Sequence, residues 1–218
     1  MTCCQCQGIE SVFNKNMASR ELKDYRKRGP DKTTRTLLNA LKAAGVEHKS
    51  LLDIGGGVGA IQHELAGAGV DTVVNVDAST AYLEAAKHEA IRQGYAERAS
   101  YHFGDFVTLA PDIAPADIVT LDRVLCCYHD VEALVSLSAA RATGLYGLVF
   151  PRDVWWIKFF RPLFNALFWI TRNPYRFFVH ASDTVETLAG QQGLKRRYHK
   201  QTFVWQIVVY EREIIIAP

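Results

Sequence analysis

The 218-residue chain lacks a large surplus of either charge: 25 Lys and Arg stand against 23 Asp and Glu, a formal +2. A dedicated nucleic-acid binder carries a strong basic excess, so a nucleic-acid partner is not expected. Lys195-Arg196-Arg197 with Lys200 reads as a small solvated patch. The chain also lacks an apolar run long enough to span a bilayer. Its longest, Val154 to Ile170, is broken by Lys158, Arg161 and Pro162, and spanning takes about 20 mostly apolar residues. The opening Met1-Thr2-Cys3-Cys4-Gln5-Cys6 has neither the basic start nor the apolar stretch of a signal peptide. Five cysteines in two tight clusters fit thiols better than a disulfide framework. A cytoplasmic location is the expectation. There is no internal repeat and no low-complexity tract.

What is present reads as one globular domain. Residues 9–28 carry a helical pattern stopped by Gly29-Pro30. Asp31 can cap a helix running through Leu37, Leu38 and Leu41 to Gly45. Then the texture changes. Strands are expected at Ser50–Ile54, Asp71–Val76, Ala99–Phe103, Ala116–Leu121 and Leu145–Phe150, with helices over 60–68, 79–93 and 130–142 between them. Asp183 and Glu186 have capping-box spacing for a further helix, and one or two strands follow to about Ile216. Strands alternating with helices imply an α/β fold, a parallel sheet covered on both faces. Turns after the strands carry Gly55–Gly59, Asp77 with Ala78, Gly104-Asp105-Phe106 and Asp122. They should line one crevice at one edge of the sheet.

Gly55, Gly57 and Gly59 alternate in Leu51-Leu52-Asp53-Ile54-Gly55-Gly56-Gly57-Val58-Gly59. Without Cβ atoms, such a loop lets a ligand approach the backbone. Asp77, 18 residues after Gly59, can accept from both ribose hydroxyls of a nucleoside. The G-x-G-x-G spacing departs from the dinucleotide G-x-G-x-x-G, which weighs against an NAD-dependent oxidoreductase. Asp53 before the loop would repel a pyrophosphate and welcome an ammonium or sulfonium. Asp105 could accept from an adenine amino group, with Phe106 packed on the ring.

On these residues, with Asn75-Val76-Asp77 and Ala116–Asp122, the chain resembles the class I S-adenosylmethionine-dependent methyltransferases over roughly residues 35–212. It is loosely similar to the small-molecule branch that includes Mg-protoporphyrin methyltransferase. The resemblance implies a Rossmann-like, seven-stranded, mostly parallel sheet with an antiparallel last strand. It implies that Gly55 and Gly57 meet the methionine moiety, Asp77 the ribose, and Asp105 with Phe106 the adenine. It leaves the middle position, Gly56, unconstrained. Gly59, Ala78, Gly104 and Asp122 count with the cofactor crevice, Asp122 as an orienting group. The metal-dependent catechol-type members carry an Asp-Asn pair after the fifth strand; Pro151-Arg152-Asp153 stands here, so no catalytic metal is expected.

The expected activity is methyl transfer from S-adenosylmethionine to a small, partly apolar metabolite by in-line displacement. The protein then chiefly aligns the acceptor and excludes water. A general base is needed only when the acceptor must lose a proton. The candidates are His129, whose ordinary pKa is near neutral, then Tyr128 and His180. The alternatives are an S-adenosylmethionine-binding module without catalysis, a membrane-associated one, or a thiophilic metal or metalloid methyltransferase.

Two segments stand outside this frame. Residues 1–34 are expected to form a helical lid or cap on the domain at 35–218. Residues 151–180 hold ten aromatic residues with Arg152, Lys158, Arg161, Arg172 and Arg176. This insert reads as a substrate lid over an apolar or anionic acceptor. A second reading is peripheral contact with an anionic membrane, and a third is a helical pair on the core or a dimer interface. Asn173-Pro174-Tyr175 reads as a turn. Cys3 and Cys6 have C-x2-C spacing, and Cys126-Cys127 follows the fourth strand. If the N-terminal segment closes over the site, the clusters could meet as a zinc site or a trap for a thiophilic substrate such as arsenite.

Overall fold

A computed structural model describes residues 4–170 and 175–213. In chain order the elements are α1 (Cys4–Val12), α2 (Lys15–Arg28), α3 (Lys32–Ala43), β1 (Ser50–Ile54), α4 (Ala60–Ala66), β2 (Thr72–Asp77), α5 (Thr80–Arg92), β3 (Ala99–Phe103), α6 (Phe106–Leu109), β4 (Ala116–Asp122), α7 (Val131–Arg141), β5 (Ala142–Pro151), α8 (Trp155–Ile170), α9 (Ser182–Gln191), β6 (Leu194–Gln201) and β7 (Trp205–Arg212). The strands form one sheet in the order β3-β2-β1-β4-β5-β7-β6. β1 to β5 run parallel. β7, last in the chain, lies antiparallel between β5 and β6.

Side chains of a strand alternate between faces, and the core follows that rule. Leu51, Ile118 and Leu145 pack with Leu37, Leu38 and Leu41 of α3, Ile61 and Leu65 of α4, and Ala90 of α5. Their neighbours Leu52, Val119 and Tyr146 face the other way, onto Phe106, Leu134, Val135, Val185 and Ala189. Strands buried on both sides are apolar at successive positions. The sheet edges β3 and β6 expose side chains instead, and β6 pairs its cations, Lys195 with Glu213, Arg196 with Glu186 and Arg197 with Glu211.

The chain leaves β1 toward β2 and β3, then returns to place β4 on the other side of β1. That reversal opens a crevice at the carboxyl ends of the strands. It fixes where the site lies.

Several local readings are corrected. The helix expected over 9–28 is two, because the Asn14 side chain accepts from the N–H groups of Asn16 and Met17 and starts α2 afresh. The capping box at Asp183 does not form. Ala181 is the N-cap with no side-chain bond, and Ser182 Oγ instead accepts from Gln206 Nε2 at 2.8 Å. β5 begins at Ala142, directly after α7. The boundary expected between residues 34 and 35 falls inside α3. The last residues of the expected final strand, 214–216, lie outside the described residues, as do Asn173 and Pro174 of the expected turn.

Candidate functional site

A cavity of about 1120 Å³ opens at the carboxyl ends of β1, β2 and β4. It is at the upper end of ordinary ligand pockets, about 300–1,000 Å³, and has room for a cofactor beside an acceptor. Of the residues singled out from sequence, Asp53, Gly55, Gly57, Asp77, Ala78, Gly104, Asp105, Phe106, Asp122 and Tyr128 line it. Gly59, His129 and His180 do not.

The glycine loop is held from below. Gly55 has φ +63, and a Cβ there would lie 2.5 Å from Val124 Cγ2. Gly56 is constrained too, contrary to the expectation from resemblance. A Cβ on it would lie 2.7 Å from both Asn75 Nδ2 and Asp53 Oδ2, groups packed beneath the loop. Asn75 donates to Gln62 Oε1 at 2.8 Å, and Gln62 Nε2 donates to Tyr95 and Tyr101. His63 bridges Tyr95 and the Val58 carbonyl. Burial drives its pKa down to about 4, so it sits there neutral.

Asp53 is 1% exposed. Its Oδ1 accepts from Thr120 Oγ1 at 2.7 Å, while Oδ2 has no hydrogen-bond partner. Burial, then the charges of Asp122 and Asp77, raises its pKa to about 7. Asp77 Oδ2 accepts from Gly57 N at 3.0 Å and Oδ1 from Ser79 N at 2.8 Å. These bonds tie the glycine loop to the start of α5, and burial still lifts Asp77 to about 6. Three carboxyls with raised pKa values, at Asp53, Asp77 and Asp122, make the crevice a place where a cation is welcome and an added anion is not.

Asp105 caps α6 through Val107 N and accepts from Tyr128 OH at 2.9 and 3.0 Å. Asp122 accepts from Thr34 Oγ1 and from Arg123. Arg123 holds φ +63, rare for a residue with a side chain. Its guanidinium reaches Asp31, the N-cap of α3, at 2.6 Å. Arg123 thus clips the N-terminal helices to the end of β4. Sequence reasoning missed this clip; its one local signal is Asp122-Arg123 at the close of a strand.

His180 donates from Nε2 to the carbonyls of Leu125 and Tyr128, each at 2.9 Å, bracing that turn from outside the cavity. His129 is exposed, its ring 5.4 Å from that of Tyr128. The rest of the lining includes N-terminal Ile9, Phe13 and Tyr25 with the acids Glu21, Asp24 and Asp31 and the bases Arg28, Lys32 and Arg35, and also Cys126, Cys127, Tyr175 and Phe177. Cys127 Sγ lies 3.7 Å from Cys126 Sγ and 3.1 Å from Tyr175 OH. Its neighbour's hydrogen bond lowers the Cys127 pKa, while that of Cys126 is raised. The expected meeting of the cysteine clusters involves Cys3 and the side chains of Cys4 and Cys6, outside the described residues.

Comparison with known proteins bears on this geometry. Residues 52–141 match a family model described as a methyltransferase domain, and this stretch holds the glycine loop, Asp77, Asp105 and Asp122. Over those residues the chain carries a methyltransferase domain. It is an enzyme of that type. The magnesium protoporphyrin IX methyltransferase of Synechocystis PCC 6803, solved with bound S-adenosylhomocysteine, is similar at 20% identity and TM-score 0.73, over 94% of this chain and 98% of that one. An O-methyltransferase family protein from Burkholderia thailandensis is similar at 14% identity and TM-score 0.66, over 94% and 62%. A putative RNA methyltransferase from Pyrococcus horikoshii follows at 13% and 0.62, over 88% and 86%. At such identities the likeness carries the fold. No curated protein sequence matches the chain. The methyltransferase has, among its described residues, no helix long and apolar enough to cross a membrane.

Proposed function

We propose that this methyltransferase acts on a small, partly apolar acceptor that enters the cavity already carrying a negative charge, such as a carboxylate or phenolate. The observation that supports this is the composition of one cavity. The crevice of carboxyls and glycines occupies one part; Ile9, Phe13, Tyr175 and Phe177 give an apolar wall, and Lys32 and Arg35 bring cations beside the Arg28–Asp24 ion pair, Glu21 and Asp31. Neither His129 nor His180 is among the lining residues. Tyr128 OH is committed to Asp105. An ionised acceptor needs no base to remove a proton.

S-adenosylmethionine, when bound, supplies a methyl group already activated on a sulfonium. The residues fit it: the unpartnered Oδ2 of Asp53 in a cation-seeking crevice suits its positive charge. In this reading the loop Gly55–Gly57 takes the methionine moiety, Asp77 the ribose, and Asp105 with Phe106 the adenine. Asp122 and Arg123 hold the N-terminal segment, residues 1–34, as a cap. The insert 151–180 closes the acceptor side through Tyr175 and Phe177. Catalysis is then alignment and exclusion of water. The test is transfer of radiolabelled methyl to paired acceptors, apolar carboxylic acids and phenols against their amides and methyl ethers. The ionised member of each pair should be methylated, with a rate that follows the acceptor's own ionisation. Transfer to the neutral members alone would refute the proposal.

A further inference from the structure

The outer face of α8 is apolar and has no partner within the described residues. Trp155, Phe159, Leu163, Trp169 and Ile170 are each 70–78% exposed and Phe160 55%. At about 100° per residue the first five share one side. The inner side is fixed: Ile157 is buried, Asn165 exchanges hydrogen bonds with the backbone of Phe177, and Phe168 packs on Tyr175. Phe203, 76% exposed in the β6–β7 turn, stacks on Trp156 with ring centroids 4.6 Å apart and extends the patch. A patch of this size marks an interaction surface.

Its charge says what covers it. Residues 151–180 hold five Lys and Arg against one acid, Asp153, which leaves 20 bases and 22 acids for the rest of the chain. Asp153 pairs with Lys158 at 2.5 Å, and Lys158, its side chain 54% exposed, stands on the flank of the apolar face between Trp155 and Trp169. Lys200 stands exposed near the same end of the β6–β7 hairpin. A second copy of this chain would bring the same positive segment against itself, which electrostatics opposes. An anionic lipid surface complements it. α8, about 24 Å long, is too short to span. Tryptophans at its ends and a basic flank are the features of a helix that lies in the headgroup plane.

We infer that α8 and Phe203 form a peripheral docking face for anionic membranes. Tyr175 and Phe177, which the inner side of α8 holds, line the cavity, so docking places the acceptor chamber beside the lipid. The experiment is flotation of the full chain with vesicles of equal parts phosphatidylglycerol and phosphatidylcholine, and with pure phosphatidylcholine. The chain should float with the anionic vesicles only. F159S/L163S should abolish flotation, and K158E should weaken it about tenfold or more. Both variants should keep S-adenosylhomocysteine affinity, which shows that the fold is intact. Failure to float with anionic vesicles would overturn the inference. So would equal binding to both vesicle types, or a dimer in gel filtration that F159S/L163S dissociates.

Discussion

Asp53→Asn should stabilise the cofactor-free protein and cripple cofactor binding at once. The Asp53 carboxyl has a pKa of about 7 in the folded chain, against about 3.9 in an unfolded one. Between these values the folded chain keeps a proton that the unfolded chain has lost. Stability therefore falls as pH rises through this window, by about 1.4 kcal/mol per pH unit. The carboxyl costs about 1.5 kcal/mol at pH 5 and about 4 kcal/mol at pH 8. An amide keeps an acceptor for Thr120 and carries no charge. Urea unfolding should thus show the variant gaining about 1.5 kcal/mol at pH 5 and about 4 kcal/mol at pH 8. Removing the buried partner of a bound cation works the other way and should weaken S-adenosylmethionine by about 2 kcal/mol or more, thirtyfold in Kd. In the wild type, affinity should rise with pH through about 7, as Asp53 gives up its proton. A stability difference flat with pH, or unchanged affinity in the variant, would refute the reasoning.

Gly56→Ala should lose about 1–3 kcal/mol of stability and weaken S-adenosylhomocysteine in calorimetry, because its methyl meets Asn75 and Asp53. His63, held down to about 4 against an ordinary value near 6.5, takes up its proton more readily when unfolded. Wild type should therefore lose up to about 3 kcal/mol relative to His63→Asn between pH 6.5 and 4, read from urea midpoints. His129→Ala should lose far less than the roughly hundredfold that a general base contributes in a radiolabelled methyl-transfer assay. His180→Ala should lower kcat with no change in the pH profile, since it frees the carbonyls of Leu125 and Tyr128.

The sheet was legible because its signals are local. Ser50–Ile54 is an apolar run closed by glycines, and the element found there has those bounds. Ser79 and Asp31 sit at the helix starts that their side chains predict. The crevice was legible because each turn follows a strand, and parallel strands end on one side. What escaped depends on distant partners. Gly56 looks tolerant until Asn75 and Asp53 are packed beneath it. The clip from Arg123 to Asp31 and Thr34 joins residues about 90 apart in the chain. His129 and His180 drew attention by chemistry and by nearness to β4, but spacing does not say which way a loop side chain points. One points to solvent and the other is spent on two carbonyls. The break between α1 and α2 turns on one asparagine, whose capping competes with a helical pattern that runs through it.

The most direct test of the account is calorimetric titration of the full chain with S-adenosylmethionine, S-adenosylhomocysteine and NAD, in the wild type and in Asp77→Ala. The first two should bind the wild type, NAD should not, and Asp77→Ala should lose tenfold or more in affinity for both, about 1.4 kcal/mol. Binding of NAD in their place, or an Asp77→Ala variant that binds them as the wild type does, would contradict the assignment of this crevice.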